Sequence, residues 1–290
     1  METLAAPLLR HRFRAMGTEI ELLVATDEAS GALAAAEAEF HRLEALLSRF
    51  RPDSELSRLN DEGTLAAGPD LLRVVELALA ARESTGGRFD IRVHGALVAA
   101  GYDRSFELVA PDDATPARFP ERQPGGVEVR DGVISLEDGV RLDLGGIGKG
   151  YACERAAEIL ATAGPCLVNA GGDIATRHGV WTVAVETPDG PLALELSGSC
   201  ALATSGRDSR RWRRADRELH HIIDPATGEP SSSDLLRVTV VAHDTVDAEV
   251  TAKALFLAGS EAARREADEL AIPAVLVTAA GDTITAGGLA

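Results

Sequence analysis

Lysine is nearly missing from this chain. Of 29 basic residues in 290, only Lys149 and Lys253 are lysine, and the rest are arginine. A coding bias toward arginine accounts for the majority and leaves the two exceptions unexplained. A compact ammonium differs from a guanidinium fork in reach and hydration, so both positions are candidates for chemistry. Cysteine is scarce as well. Cys153, Cys166 and Cys200 form no Cys-x-x-Cys pair and no disulfide-rich spacing, which excludes a thiolate metal cluster and a stapled secreted scaffold. No apolar run approaches the roughly 18 residues of a membrane span. The opening METLAAPLLRHRFRAMG has a short Leu/Ala patch preceded by glutamate, with no basic region and no cysteine for lipidation. It does not read as a signal peptide, and the expectation is a cytoplasmic protein. Positive charge is in deficit: 46 acidic against 29 basic residues leave −17. Such a chain is repelled by nucleic acid and by anionic membrane surfaces. An anionic ligand would need a local device, such as a metal or a helix N-terminus.

What is present is an ordinary globular balance, 45% hydrophobic and 26% charged, at a length that suits one large domain or two small ones. Apolar periods near 2 and near 3.6 mix throughout, so the class is α with β. Glu19 to Val24 alternates as a strand. Leu33, Phe40, Leu43, Leu47 and Phe50 recur as one helix face, and a second helix runs from about Asp70 to Glu83. Prolines 111, 116, 120 and 124 make the stretch at about 107–126 an excursion loop. Val127–Arg130 and Val133–Leu136 flank Asp131-Gly132, a hairpin signal. Val140 to Leu144 reads as a third strand running into Gly145-Gly-Ile-Gly-Lys-Gly150 and a helix, Tyr151 to Thr162. Further strands are expected at Cys166–Asn169, Val180–Glu186, Leu192–Leu196, Leu236–Ala242 and Ala274–Thr278, with helices at Asp247–Ala258 and Ser260–Leu270.

Four segments could carry chemistry. The glycine-rich turn around Lys149 would let backbone N–H groups approach an anion at a helix N-terminus, although glycines alone are also explained by a tight turn. Its spacing matches neither a nucleotide P-loop nor Gly-x-Gly-x-x-Gly. His220-His221-Ile-Ile-Asp224 places two imidazoles beside a carboxylate. One could be a general base, while Asp224 could simply cap the Pro-Ala-Thr-Gly turn. Glu249 and Lys253 have the favoured order of a helix-surface ion pair, a reading that competes with any role in a site. Ala203–Gly206 precedes a run of arginines, Arg207 to Arg217, that reads first as a solvated hairpin tip.

Taken in order, Met16-Gly17-Thr18, Phe50 to Asn60, Thr85-Gly-Gly-Arg-Phe-Asp90, Leu142 to Gly150, Asn169-Ala-Gly-Gly-Asp173, Ala203–Gly206 and His221 to Gly228 resemble the ApbE family of FAD:protein FMN transferases. Each motif alone is weak; seven in order are specific, and they cover about residues 13 to 285. The resemblance implies one α+β, T-fold-like domain over 1–290, with mixed or antiparallel sheets and packed helices. It implies FAD as substrate, FMN moved to a threonine hydroxyl of an acceptor protein, AMP released, and Mg²⁺ used. By position, Met16, Phe50, Arg88, Phe89, Asp90, Asp143, Lys149, Ile222 and Ile223 would line the FAD, and His221 would be the base. The metal would sit on the Gly146 carbonyl and the helix segment carrying Glu249 and Ala252.

The chain also departs from the family pattern. Glu249 and Lys253 stand where the family has Asp-x-x-x-Thr metal ligands, and an ammonium cannot ligate Mg²⁺ but competes for the same oxygens. Lys253 would then belong with the FAD-binding residues and supply part of the metal's charge. Arg92 replaces a threonine, Arg207 an aspartate, and Phe50 a tyrosine. Three functions fit: the transferase, a flavin carrier or regulator that binds FAD without transfer, and an FAD hydrolase giving FMN and AMP. The acceptor and the oligomeric state are not readable.

Overall fold

In the computed structural model, residues 7–112, 117–119 and 125–289 are described. The framework is an eight-stranded sheet, antiparallel at every ladder. Its strand order is Leu8–Ala15, Thr18–Ala25, Cys166–Ala170, Asp173–Arg177, Cys200–Gly206, Leu235–Ala242, Ala274–Thr278 and Thr283–Ala286. Alternation sorts the faces as expected: Ile20, Leu22 and Val24 are all fully buried in the core shared with the helices. Leu23, Leu167, Ile174 and Leu202 join a second cluster with Val183, Val185, Leu194 and Leu196 from the hairpin Val180–Val185/Leu192–Ser197. Among the described residues no helix is long and apolar enough to cross a membrane.

The helices Ser30–Leu47, Pro69–Ser84, Gly148–Ala161, Thr245–Ala258 and Ser260–Glu269 form close to where their periodicity predicts. Proline at the first position and Asp70 in the first turn explain where the second begins. Phe50 is a correction to the first. The helix ends at Leu47, and Phe50 lies beyond it, packed 5.6 Å from the Tyr102 ring. The hairpin at Asp131-Gly132 forms with both residues at positive φ, and Thr64–Ala66 adds a strand to it.

Two expectations fail in ways that matter. Val140–Leu144 joins no sheet. Its backbone bonds go instead to a side chain and to the one-turn helix Ile91–Val93. Asn60 donates its Nδ2 to the Leu142 carbonyl at 2.9 Å and accepts from the Leu142 N–H at 2.7 Å, while Asp143 N–H donates to Ile91 O. Asn60 therefore imitates a neighbouring strand at one residue. The following helix also starts at Gly148 rather than after Gly150, so Lys149 and Gly150 lie in its first turn. The proline-rich stretch falls partly outside the described residues. Its described part holds a one-turn helix, Phe106–Leu108, and a bridge from Asp112 to Arg214. The arginine run includes a true hairpin, Arg211–Arg214/Arg217–His220, but its Trp212 is buried against Tyr102.

Candidate functional site

The helix-side core opens into a cavity of about 340 Å³, within the range of small-molecule sites. Met16, Phe50, Arg88, Phe89, Asp90, Asp143, Gly146, Lys149, His221, Ile222, Ile223 and Lys253 all line it, so the sequence-predicted residues converge. Glu249 and Ala252 do not. Glu249 is buried behind the glycine turn, and Ala252 is fully buried with its carbonyl inside the helix ladder. The lining carries six cationic side chains (Arg49, Arg51, Arg88, Lys149, Arg210, Lys253) against four carboxylates (Glu44, Asp90, Glu107, Asp143). A chain of net −17 thus has a locally positive cavity, suited to an anion.

The floor is built from the two lysines. Lys149 Nζ donates to Asp173 Oδ2 at 2.5 Å and to Glu249 Oε1 at 2.8 Å, while Glu249 Oε2 accepts the Gly150 N–H at 3.0 Å. The orphan donor of the helix start is therefore satisfied by this chain's own carboxylate, where the helix dipole favours negative charge. Burial alone would lower the Lys149 pKa, but the charges of Asp173 and Glu249 outweigh it and hold the ammonium above its ordinary value. Burial pushes Asp173 up to about 6 against the pull of Lys149. Lys253 is different. Its Nζ donates to the Gly146 carbonyl at 3.1 Å and lies 5.5 Å from the Phe89 ring centre, and its remaining protons face the cavity. Burial lowers its pKa, partly offset by Glu249. The expected surface pair between Glu249 and Lys253 gives way to these contacts.

His220 and His221, adjacent in sequence, separate in role. His220 Nε2 bonds Ser231 O at 3.0 Å, and its Nδ1 accepts the Ile222 N–H at 3.3 Å, so both ring nitrogens hold local structure. His221 Nδ1 is shielded from solvent and has no partner among the described residues. Burial first, then the charges of Arg210 and Lys253, holds the His221 pKa well below the usual value. It is neutral at pH 7 and able to accept a proton. Asp224 caps its turn by accepting the Ala226 N–H at 2.8 Å.

Other lining residues are committed to holding the walls. Arg88 grips Glu266 with two bonds of 2.6 and 2.7 Å and also reaches Ala254 O. Asp90 is clamped between Arg82 and Arg92, the arginine standing at the family's threonine. Asp143 pairs with Arg49 and accepts the Gly145 N–H. Met16 takes a positive φ of 52° beside Gly17 at 68°, a two-residue turn anchored by Glu44 accepting the Met16 N–H. Sequence reasoning missed Arg49, Tyr102, Arg210 and Asp173. Arg49 lies over the Phe50 ring at 4.1 Å and the Tyr102 ring at 4.8 Å, and makes the aromatic end of the cavity cationic too. The signal for Asp173 was its place at the end of a recognised motif, and Arg49 stands immediately before one; nothing local assigned either a partner.

Fold and site together define an α+β protein with a cavity lined by aromatic rings and by ammonium and guanidinium groups. Comparison places it more closely. A model of the ApbE family matches residues 16–276. The chain is 31% identical over 251 residues to an FAD:protein FMN transferase of Treponema pallidum, covering 75% of this chain and 68% of that one. It is 30% identical over 260 residues to one of Klebsiella pneumoniae, covering 84% and 81%. The crystal structure of the ApbE protein of Thermotoga maritima superposes with a TM-score of 0.85 over 97% of both chains at 25% identity. This chain belongs to the ApbE family.

Proposed function

We propose that the protein is an FAD:protein FMN transferase, moving FMN from FAD to a threonine hydroxyl of an acceptor protein with release of AMP. The observation that carries the reading is the meeting, in one cavity, of a neutral imidazole with an unpartnered Nδ1 and a cluster of cations that includes Lys253 and Arg210. The activity named for the Treponema and Klebsiella relatives supports it.

In this reading the rings of FAD use the aromatic end beside Phe50 and Tyr102, and the pyrophosphate lies toward the lysines. The threonine Oγ attacks the flavin-side phosphorus and a new P–O bond forms. The bond from that phosphorus to the bridging oxygen breaks, and its electrons leave with AMP. The threonine proton passes to His221, which is poised to take it because burial and nearby cations keep it neutral. The surrounding ammonium and guanidinium groups neutralise charge on the leaving phosphate.

Mg²⁺ has no place in these steps, because the residues do not fit it. Glu249 has both oxygens engaged, Lys253 covers the Gly146 carbonyl, and no three of His, Cys, Asp or Glu gather as a metal site among the described residues. Incubation with FAD and a threonine-bearing acceptor tests the reading. Acceptor heavier by one FMN less one water, with equimolar AMP, is expected. Unmodified acceptor with free FMN would make it a hydrolase, and intact FAD a carrier.

A further inference from the structure

We infer that this chain carries its own cation for the phosphate end of its ligand, and that FAD binding requires Lys253 and no divalent metal. The inference rests on the flavin reading and deepens it. Three features of the floor carry it. The first is position: Lys253 Nζ is 3.1 Å from the Gly146 carbonyl, the oxygen that would otherwise face a metal. Gly146 is matched to this, since any Cβ there would run into the Lys253 ammonium, so glycine at 146 leaves the room that the lysine occupies.

The second is the fate of the carboxylates. A divalent ion needs anionic oxygens free to coordinate it. Lys149 takes Asp173 Oδ2 and Glu249 Oε1, and the Gly150 N–H takes Glu249 Oε2, so Glu249 has both oxygens engaged and Asp173 one. These side chains are only 3–4% exposed, so little of either carboxylate faces the cavity. A metal placed there would have to displace one ammonium and approach another. The third is spare capacity. An ammonium has three protons, and Lys253 uses one on Gly146. The two lysines thus divide the work: Lys149 hydrogen-bonds both acids, and Lys253, which shares in balancing their charge without touching them, keeps its remaining protons for the cavity.

The test is a fluorescence titration of EDTA-treated protein with FAD, in EDTA and in excess Mg²⁺, on wild type and Lys253→Met. Electron paramagnetic resonance of added Mn²⁺ serves as a direct metal readout. Wild-type affinity should agree within about twofold in the two buffers, and the protein alone should hold no Mn²⁺. Lys253→Met should bind FAD about tenfold or more weakly, the scale of a charge-assisted contact. Three results would each overturn the inference and leave the flavin reading intact. They are FAD binding only with Mg²⁺, Mn²⁺ held by the wild type, and undiminished affinity in Lys253→Met. Absence of FAD binding in both buffers would overturn inference and flavin reading together. The wild-type arms need no variant, so a Lys253→Met chain that failed to fold would still leave the metal question decided.

Discussion

Lys149 and Lys253 share one cavity floor and have opposite surroundings. Lys149 meets two carboxylates at hydrogen-bond distance, whereas Lys253 meets one neutral carbonyl and lies over the Phe89 ring, lining the cavity. A strongly acidic chain thus assembles an anion site from two ammonium groups set against two buried acids: Lys149 holds both acids by hydrogen bonds, and Lys253 balances them from a distance with protons left for the ligand.

The sharpest way to break this contrast is to remove each lysine in turn. Lys149→Met leaves two buried carboxylates without their cation, and stability should fall by about 3–5 kcal/mol in urea denaturation. Lys253→Met removes no hydrogen bond from either buried carboxylate and should cost clearly less stability than Lys149→Met, its main effect appearing in FAD affinity. Equal losses of stability would erase the distinction.

The histidines offer a second contrast. His221→Ala should slow transfer about 10²-fold or more with FAD affinity nearly unchanged, whereas His220→Ala should act through stability, since its nitrogens tie Ile222 to Ser231. The sign of the pH effect follows from the lowered His221 pKa. The neutral form is the active one, so kcat/KM should hold steady as pH falls through 6.5 and drop only at a lower value. A drop centred at 6.5 or above would remove His221 from the role.

The floor and the exposed hairpin give a third contrast. Asn60→Ala strips Leu142 of a buried donor and acceptor partner, and should cost about 1–3 kcal/mol in a thermal melt. Arg211 and Glu218 are both more than half exposed and 3.5 Å apart, so Arg211→Ala should cost less than about 0.5 kcal/mol.

The elements that could be read from sequence are those whose period is visible locally. Thr18–Ala25 alternates because one face meets helices, and Asp131-Gly132 announces its hairpin through turn chemistry. Asp173–Arg177 and Cys200–Gly206 escaped because central strands covered on both faces lose alternation. Leu8–Ala15 escaped because Arg10, Arg12 and Arg14 give an edge strand a polar face. Val140–Leu144 had the pattern of a strand without the ladder, since periodicity reports burial and not the identity of the hydrogen-bond partner. In the site, ordered motifs brought His221, Asp143 and both lysines to one cavity. Pairings were not readable: Lys149 finds its partners 24 and 100 positions away, a matter of tertiary geometry.

One incubation tests the central claim most directly. Metal-depleted protein, FAD and a threonine-bearing acceptor are combined in EDTA, and acceptor mass and AMP are measured from the same tube. Acceptor heavier by one FMN less one water is expected, with AMP released in equal amount and no gain on adding Mg²⁺. Acceptor of unchanged mass in EDTA, modified only once Mg²⁺ is supplied, would contradict it.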